Sequence, residues 1–168
     1  KGILVSNVPT YGENTVAEHT FALILSIARN LKKAHFKVSA GDFSIKELMG
    51  FDLKGRPLGV VGTGHIGLRV IKMAIGFSMK VLAFDPAPNS FLSEILGFKY
   101  VDFETLLKES DIISLHAPDN KKTHHMINEN NIGIIKKGAI LINTARGGLV
   151  ETIALTKALD SGILSGAG

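Results

Sequence analysis

LGVVGTGHIGLRVIKMAIGFSMKVLAFD, residues 58–85, decides how the rest of the chain is read. A short apolar run (58–61) leads into Gly62-Thr63-Gly64-His65-Ile66-Gly67. A helical pattern follows, with Ile66, Val70, Met73 and Phe77 on one face, and a second apolar run (81–84) ends in Asp85. Strand, glycine loop, helix, strand and acid is the order of a dinucleotide-binding unit. Gly62 permits the tight turn out of the strand, Gly64 has no side chain to block a pyrophosphate, and Gly67 lets the helix pack close to the sheet. The helix N-terminus offers free N–H groups and a partial positive charge to phosphates. Asp85 is the candidate acceptor for a ribose 2′-OH, and its charge would repel a 2′-phosphate. The competing reading is a plain glycine-rich turn, against which the complete context weighs.

On the N-terminal side, residues 3–5 form a short apolar segment and residues 9–14 read as a loop. Thr15-Val16-Ala17-Glu18 has the form of a capping box, which predicts a helix opening at Thr15. That helix is expected to run to about Lys37, with Ala17, Phe21, Ile24, Ala28 and Leu31 on one face and Leu23, Leu25 and Ile27 elsewhere. Apolar residues on several faces predict burial on more than one side, as in a helix shared between two domains or two subunits. The polar stretch 32–54, with its scattered glycines, reads as helix end plus exposed connection.

On the C-terminal side the alternation continues. Residues 85–89 form a turn, 90–96 a short helix closed by Gly97, and 99–101 a short strand. Asp102 caps a helix through Glu109, and the buried strand 112–115 ends in His116-Ala117-Pro118. A loop and a short helix ended by Gly138 precede the strand 139–142, which ends in Asn143-Thr144-Ala145-Arg146-Gly147-Gly148. Residues 151–159 are helical, Gly162 stops them, and Ile163-Leu164 begins another strand. Strands this apolar, separated by helices, predict an α/β fold: a Rossmann-type, doubly wound parallel sheet.

The composition narrows the function classes. A chain of 168 residues with 45% apolar content is long enough for one domain with a real core. The absence of cysteine excludes disulfides and cysteine-based metal sites, and fits a reducing cytoplasm. No apolar run approaches the roughly 20 residues of a membrane span, and no secretory signal pattern is visible. The net charge of +4 lies in scattered pairs, such as Lys121-Lys122 and Lys136-Lys137, without interleaved aromatics. That is a solvated surface rather than a nucleic-acid face. Lys1 and the run up to Gly168 read as cut ends, so a piece of a larger protein is expected.

In an open parallel sheet the ligand lies beyond the C-terminal strand ends, and the polar groups collect there. Arg146, just past a strand end and followed by two glycines, puts a planar two-pronged donor where a carboxylate could dock. A surface salt bridge is the alternative. His19, His65, His116, His124 and His125 fall in no Ser-His-Asp or metal-ligand spacing, and no metal is expected.

VAEHTFALIL, LGVVGTGHIG, SLHAP, KKTHHMIN and KKGAILINTARGGLV together resemble the NAD-binding domain of the D-isomer-specific 2-hydroxyacid dehydrogenases, most of all the lactate and related small-acid enzymes. The resemblance runs in the family's order over nearly the whole chain, and NTARGGLV is its most specific segment. It implies that Arg146 binds the substrate carboxylate and polarises the carbonyl, and that Asp85 selects NAD. It places His65 and Ile66 against the pyrophosphate, and Ala117-Pro118, in the loop that His116 begins, on the adenosine side. Thr123 then approaches the phosphates, and Thr144-Ala145, after Asn143, lie beside the nicotinamide ribose and ring. Tyr11 falls where some members have a substrate-pocket tyrosine; packing is the other reading.

By the same resemblance, residues 1–14 end a substrate domain and residues 15–168 form the dinucleotide-binding domain. The partners implied are a small 2-hydroxy or 2-keto acid and a second copy of the chain, docked through the helix at 15–37, with neither nucleic acid nor membrane. The family's acid/base histidine and its assisting glutamate have no counterpart in these residues, so the chain alone is expected to be inactive. Ser78 replaces a glycine common in the family's GFGMK segment, which reads as a surface change. Two rivals use the same kind of domain: an NAD-sensing, corepressor-like binding protein, and another NAD-domain enzyme such as a homocysteine-adduct hydrolase. NTARGGLV argues against the second.

Overall fold

In the computed structural model, which describes residues 2–8 and 11–168, six strands form one sheet. They are β1 (Pro57–Val61), β2 (Lys80–Phe84), β3 (Lys99–Tyr100), β4 (Ile112–Leu115), β5 (Ala139–Asn143) and β6 (Leu164–Ala167), in the order β3-β2-β1-β4-β5-β6. Every neighbouring pair is parallel. Successive side chains on a strand point to opposite faces, and both faces here are apolar. Leu58, Val60, Ile112, Ile140 and Ile142 enter one core with Ala17, Phe21, Ile24, Val70, Ile71 and Ala74. Val61, Ile113, Leu115, Ala139 and Leu141 enter the other with Leu106, Leu107, Leu149, Ala154 and Ala158. Helices α1 (Glu13–Ala28) and α3 (His65–Gly76) therefore cover one face. Helices α5 (Phe103–Glu109) and α6 (Thr152–Asp160), with 3₁₀ turns at Ile132–Ile134 and Gly147–Leu149, cover the other. The short helices α2 (Leu31–Ser39) and α4 (Ser90–Leu96) complete the set. The doubly wound parallel sheet expected from the sequence is the observed fold.

Local signals hold where a side chain or a glycine makes the turn. Asp102 Oδ1 accepts from the Thr105 N–H at 2.9 Å and starts α5, and Gly97, at φ 75°, ends α4. Other expectations fail. The helix expected from Thr15 begins at Glu13, behind Gly12 at φ 75°, with no side-chain cap. Thr15 is thus inside the first turn and the capping box does not form. The expected continuous helix to about Lys37 is two helices, α1 and α2, because Asn30 takes a left-handed conformation at φ 52°. On α3 the buried residues are Gly67, Val70, Ile71 and Ala74: of the expected Ile66, Val70, Met73 and Phe77 only Val70 is fully buried, and the centre of the inward face lies toward Ile71 and Ala74. The helix expected before Gly138 is only a 3₁₀ turn. Within the expected loop at 9–14, residues 9 and 10 lie outside the described residues, and residues 3–5 are exposed without regular structure. Among the described residues, no helix is long and apolar enough to cross a membrane, and no His/Asp/Glu cluster could hold a metal ion.

Candidate functional site

The strand order reverses between β1 and β4, and the chain leaving β1 makes the glycine loop at that opening. Gly62 turns out of the strand at φ 93°, where a Cβ would stand 2.7 Å from the His116 carbonyl oxygen. Its N–H donates to the Phe84 carbonyl at 2.8 Å, which ties the loop to the end of β2. A Cβ on Gly67 would run into the Gly62 carbonyl oxygen, so only glycine lets α3 start this close to β1. Gly64 is different: a Cβ there would meet no protein atom within 4 Å. It faces open space at the N-cap of α3, whose first-turn N–H groups have no side-chain cap. Residues His65 and Ile66 form that first turn. The exposed His65 ring places Nδ1 3.4 Å from the Glu13 carboxylate, which also lies 3.8 Å from Arg69.

Asp85 follows β2 directly, on the rim of the same opening. Its Oδ2 accepts from the Thr63 N–H at 2.7 Å and the Thr63 hydroxyl at 3.0 Å, and its Oδ1 accepts from the Ala87 N–H at 2.9 Å. Partial burial would raise its pKa, but these three donors outweigh that effect and hold the carboxyl below its ordinary value. The acid is therefore a fixed anion at neutral pH.

Between Asp85 and the loop after β4 runs a groove of ≈ 610 Å³, lined by Gly62, Gly64, Asp85, His116, Pro118 and Thr123 among others. Ala117 lines it too, and the apolar walls suit a flat aromatic ring. His116 Nε2 lies 2.8 Å from the hydroxyl of the fully buried Ser114. Burial pushes the imidazole down to about 4, so it is neutral at pH 7. Thr123 is fixed at the groove's edge: its hydroxyl donates to the Pro118 carbonyl and accepts from the Asn120 N–H at 2.9 Å.

The end of β5 forms the far part of the opening, a depression of ≈ 650 Å³ bounded by Val16, His19, Thr144, Ala145 and Arg146. Asn143 shapes the turn: its amide nitrogen donates to the Arg146 carbonyl at 2.8 Å, and its amide oxygen accepts from the Ala145 N–H at 3.1 Å. Buried Thr20 gives its one hydroxyl proton to the Val16 carbonyl at 2.9 Å. Thr144, 2.9 Å away, must then donate to Thr20, which pins this strand end to α1. Arg146 is exposed, and among the described residues the only hydrogen bond its guanidinium makes is to the neighbouring Ala145 carbonyl at 2.8 Å. Among the described residues no carboxylate pairs with it, so the salt-bridge alternative is not realised.

Gly62, Gly64, His65, Ile66, Gly67, Asp85, His116, Ala117, Pro118, Thr123, Asn143, Thr144, Ala145 and Arg146 thus all gather at the C-terminal edge of the sheet. Tyr11 stands apart, exposed and unpacked. The sequence reading missed Thr63, Tyr100 and Thr20. Thr63 sits inside the motif and was open to notice. Tyr100 and Thr20 reach the site only through tertiary pairing, and no local pattern marks them.

A parallel sheet in the order 3-2-1-4-5-6, with a glycine loop at the reversal and an acid after the second strand, defines a dinucleotide-binding Rossmann domain. The open Gly64 and the fixed Asp85 anion fit such a ligand. Residues 21–168 match the D-isomer specific 2-hydroxyacid dehydrogenase, NAD binding domain, and the chain belongs to this family. It is 45% identical to the glyoxylate reductase of Thermococcus litoralis, over 100% of this chain and 53% of the reductase. It is 39% identical to the D-lactate dehydrogenase of Escherichia coli, over 95% of this chain and 48% of that enzyme. The structure of the D-lactate dehydrogenase from Aquifex aeolicus complexed with NAD and lactic acid superposes with a TM-score of 0.92 at 48% identity, covering 99% of this chain and 50% of that one. The chain spans about half the length of the curated relatives it matches.

Proposed function

We propose that the chain is the cofactor-binding half of an NAD-dependent D-2-hydroxyacid dehydrogenase that interconverts small 2-hydroxy and 2-keto acids, D-lactate and pyruvate among them. The observation that carries this reading is Arg146, an exposed guanidinium with no carboxylate partner among the described residues, on a turn that Asn143 holds rigid beside the opening. Such a fork binds a carboxylate through two parallel hydrogen bonds, and it can polarise an adjacent carbonyl. NAD, when bound, supplies or accepts the hydride. The chain's own part is to bind and orient: the first turn of α3, with His65 and Ile66, for the pyrophosphate; Asp85 for the adenosine ribose; His116 to Pro118 for the adenine side. Thr123 belongs near the phosphates, and Thr144 and Ala145 beside the nicotinamide ribose. The proton is handled by a histidine outside these residues. We assign residues 15–168 to the cofactor domain, with residues 1–14 leading in from a substrate domain. A homodimer in the cytoplasm is part of the same reading.

Three measurements test this. NADH titrated into the chain should bind with quenching or enhancement of its fluorescence, while pyruvate reduction by the chain alone should be negligible. Loss of general acid/base catalysis alone removes roughly 10²–10⁴-fold in rate. In a longer protein that carries the acid/base histidine, Arg146→Gln should lower kcat/KM for pyruvate by about 100-fold or more, as for loss of a charge-assisted bidentate contact. Unchanged pyruvate reduction in Arg146→Gln would remove the substrate role.

A further inference from the structure

Asp85 is the end of a chain of hydrogen bonds that begins on the neighbouring strand, β3, and passes through the loop after β1. Thr63 has one hydroxyl proton, and it goes to Asp85 Oδ2 at 3.0 Å. The Thr63 oxygen can therefore only accept from elsewhere. It does: the Tyr100 hydroxyl donates to it at 2.9 Å. Tyr100 closes β3, the edge strand beside β2, and its ring stands edge-on to Phe98 with centroids 5.0 Å apart. Both donors point the same way, toward the carboxylate, and hydrogen bonds aligned in series polarise one another.

The geometry also fixes which part of the carboxylate is left for a ligand. A carboxylate has about four acceptor positions. Oδ2 uses two on Thr63, and Oδ1 uses one on Ala87. The remaining acceptor position is on Oδ1, and Asp85 lines the groove. Without its anchors the side chain could turn aside, lose the ribose contact and make room for a 2′-phosphate.

We propose that Tyr100 is a positioning residue for cofactor choice: acting through Thr63, it locks Asp85 in the orientation that accepts a ribose hydroxyl and rejects a 2′-phosphate. This rests on the reading of Asp85 as the ribose acid, so the test must separate the two. Dissociation constants for NADH and NADPH would be measured by fluorescence titration, at one ionic strength, for the unmutated chain and for Tyr100→Phe, Thr63→Val, Thr63→Ser and Asp85→Ala. Tyr100→Phe keeps the ring and its contact with Phe98 and removes only the donor. It should narrow the NADPH-to-NADH ratio of dissociation constants by about 3- to 10-fold, the range for one lost hydrogen bond. Thr63→Val should narrow it further, and Thr63→Ser, which keeps the hydroxyl, should preserve it. An unchanged ratio in Tyr100→Phe, with a narrowed one in Asp85→Ala, overturns the proposal and leaves the Asp85 reading standing. Equal weakening of both cofactors by Tyr100→Phe would assign Tyr100 to packing alone and also overturns it. An unchanged ratio in Asp85→Ala removes the reading beneath the proposal, and the proposal with it.

Discussion

Ser78 follows the end of α3 at φ 56°, a left-handed conformation in which a Cβ crowds the following carbonyl. Its N–H donates to the Ile75 carbonyl and its own carbonyl accepts from the Gly55 N–H, both at 2.8 Å, so the backbone is held there by its neighbours. The change from glycine at this position is therefore a matter of backbone strain as well as of surface chemistry. Ser78→Gly should raise folding stability by about 0.5–1 kcal/mol, the strain relief less the added entropy of the unfolded chain. A lower denaturation midpoint in urea would contradict this. His116 gives a second expectation at this scale. Its folded-state pKa of about 4 lies below the ordinary 6.5. Between these values the unfolded chain binds a proton that the folded chain refuses, so stability falls as pH drops through that window. The loss reaches about 3 kcal/mol at most, and above pH 6.5 this group contributes no slope. His116→Gln should flatten the dependence of Tm on pH between 6.5 and 4, and an unaltered slope would show that other groups cause it. Gly62, Gly67 and Asp85 could be read from sequence because each acts through its own backbone or position in a contiguous motif. The Tyr100–Thr63 bond, which joins residues 37 apart, is not written in the local sequence.

At the scale of elements, the strands were legible because each is a short apolar run that must be buried on both faces, with glycine or a polar turn at its end. The helix ends were less so. Thr15 and Glu18 have capping spacing, yet Gly12 takes the turn at φ 75° and the helix has already begun at Glu13. Thr15→Ala should then change stability by less than about 0.5 kcal/mol, as for an exposed helical site. A loss near 1 kcal/mol would restore the capping reading. The break at Asn30 was hidden because apolar periodicity continues across it; only a left-handed asparagine separates α1 from α2. On α3 the inward face is set by a backbone contact, the seating of Gly67 against the Gly62 carbonyl. That contact turns Ile71 and Ala74 fully inward beside the expected Val70, while Met73 is only partly buried against the same core and Phe77 stacks on Phe21 at its edge. Periodicity alone could not have supplied the offset.

At the scale of the whole molecule, the apolar residues of the entry helix have to be divided again between core and interface. The sequence reading docks a second copy through the helix at 15–37, whose several apolar faces include Phe21 and Leu25. Phe21 is only 4% exposed and stacks on Phe77 with centroids 5.2 Å apart, so it belongs to this chain's own core. Leu25 is partly buried against the same cluster. The uncovered apolar side chains lie further along: Leu31, Phe36 and Val38 on α2, then Phe43, Ile45 and Met49 in the segment that follows. Ile45 is 87% exposed and Met49 93%. Apolar area left in water forgoes about 25 cal/mol per Å², and grouped exposure of this kind marks an interaction face. If the proposed homodimer is correct, this region carries it. Phe36→Asp and Ile45→Asp should then weaken self-association in sedimentation velocity and leave the monomer's unfolding midpoint nearly unchanged. Phe21→Asp should act differently and cost at least about 3 kcal/mol of folding stability, since it removes a buried ring and puts a charge in its place. A monodisperse monomer at high concentration, with α2 fully helical by hydrogen exchange, would end the dimer reading. It would leave the cofactor groove untouched, because that groove lies at the opposite ends of β1, β2 and β4 from the Arg56–Asp111 ion pair and is built wholly within one chain.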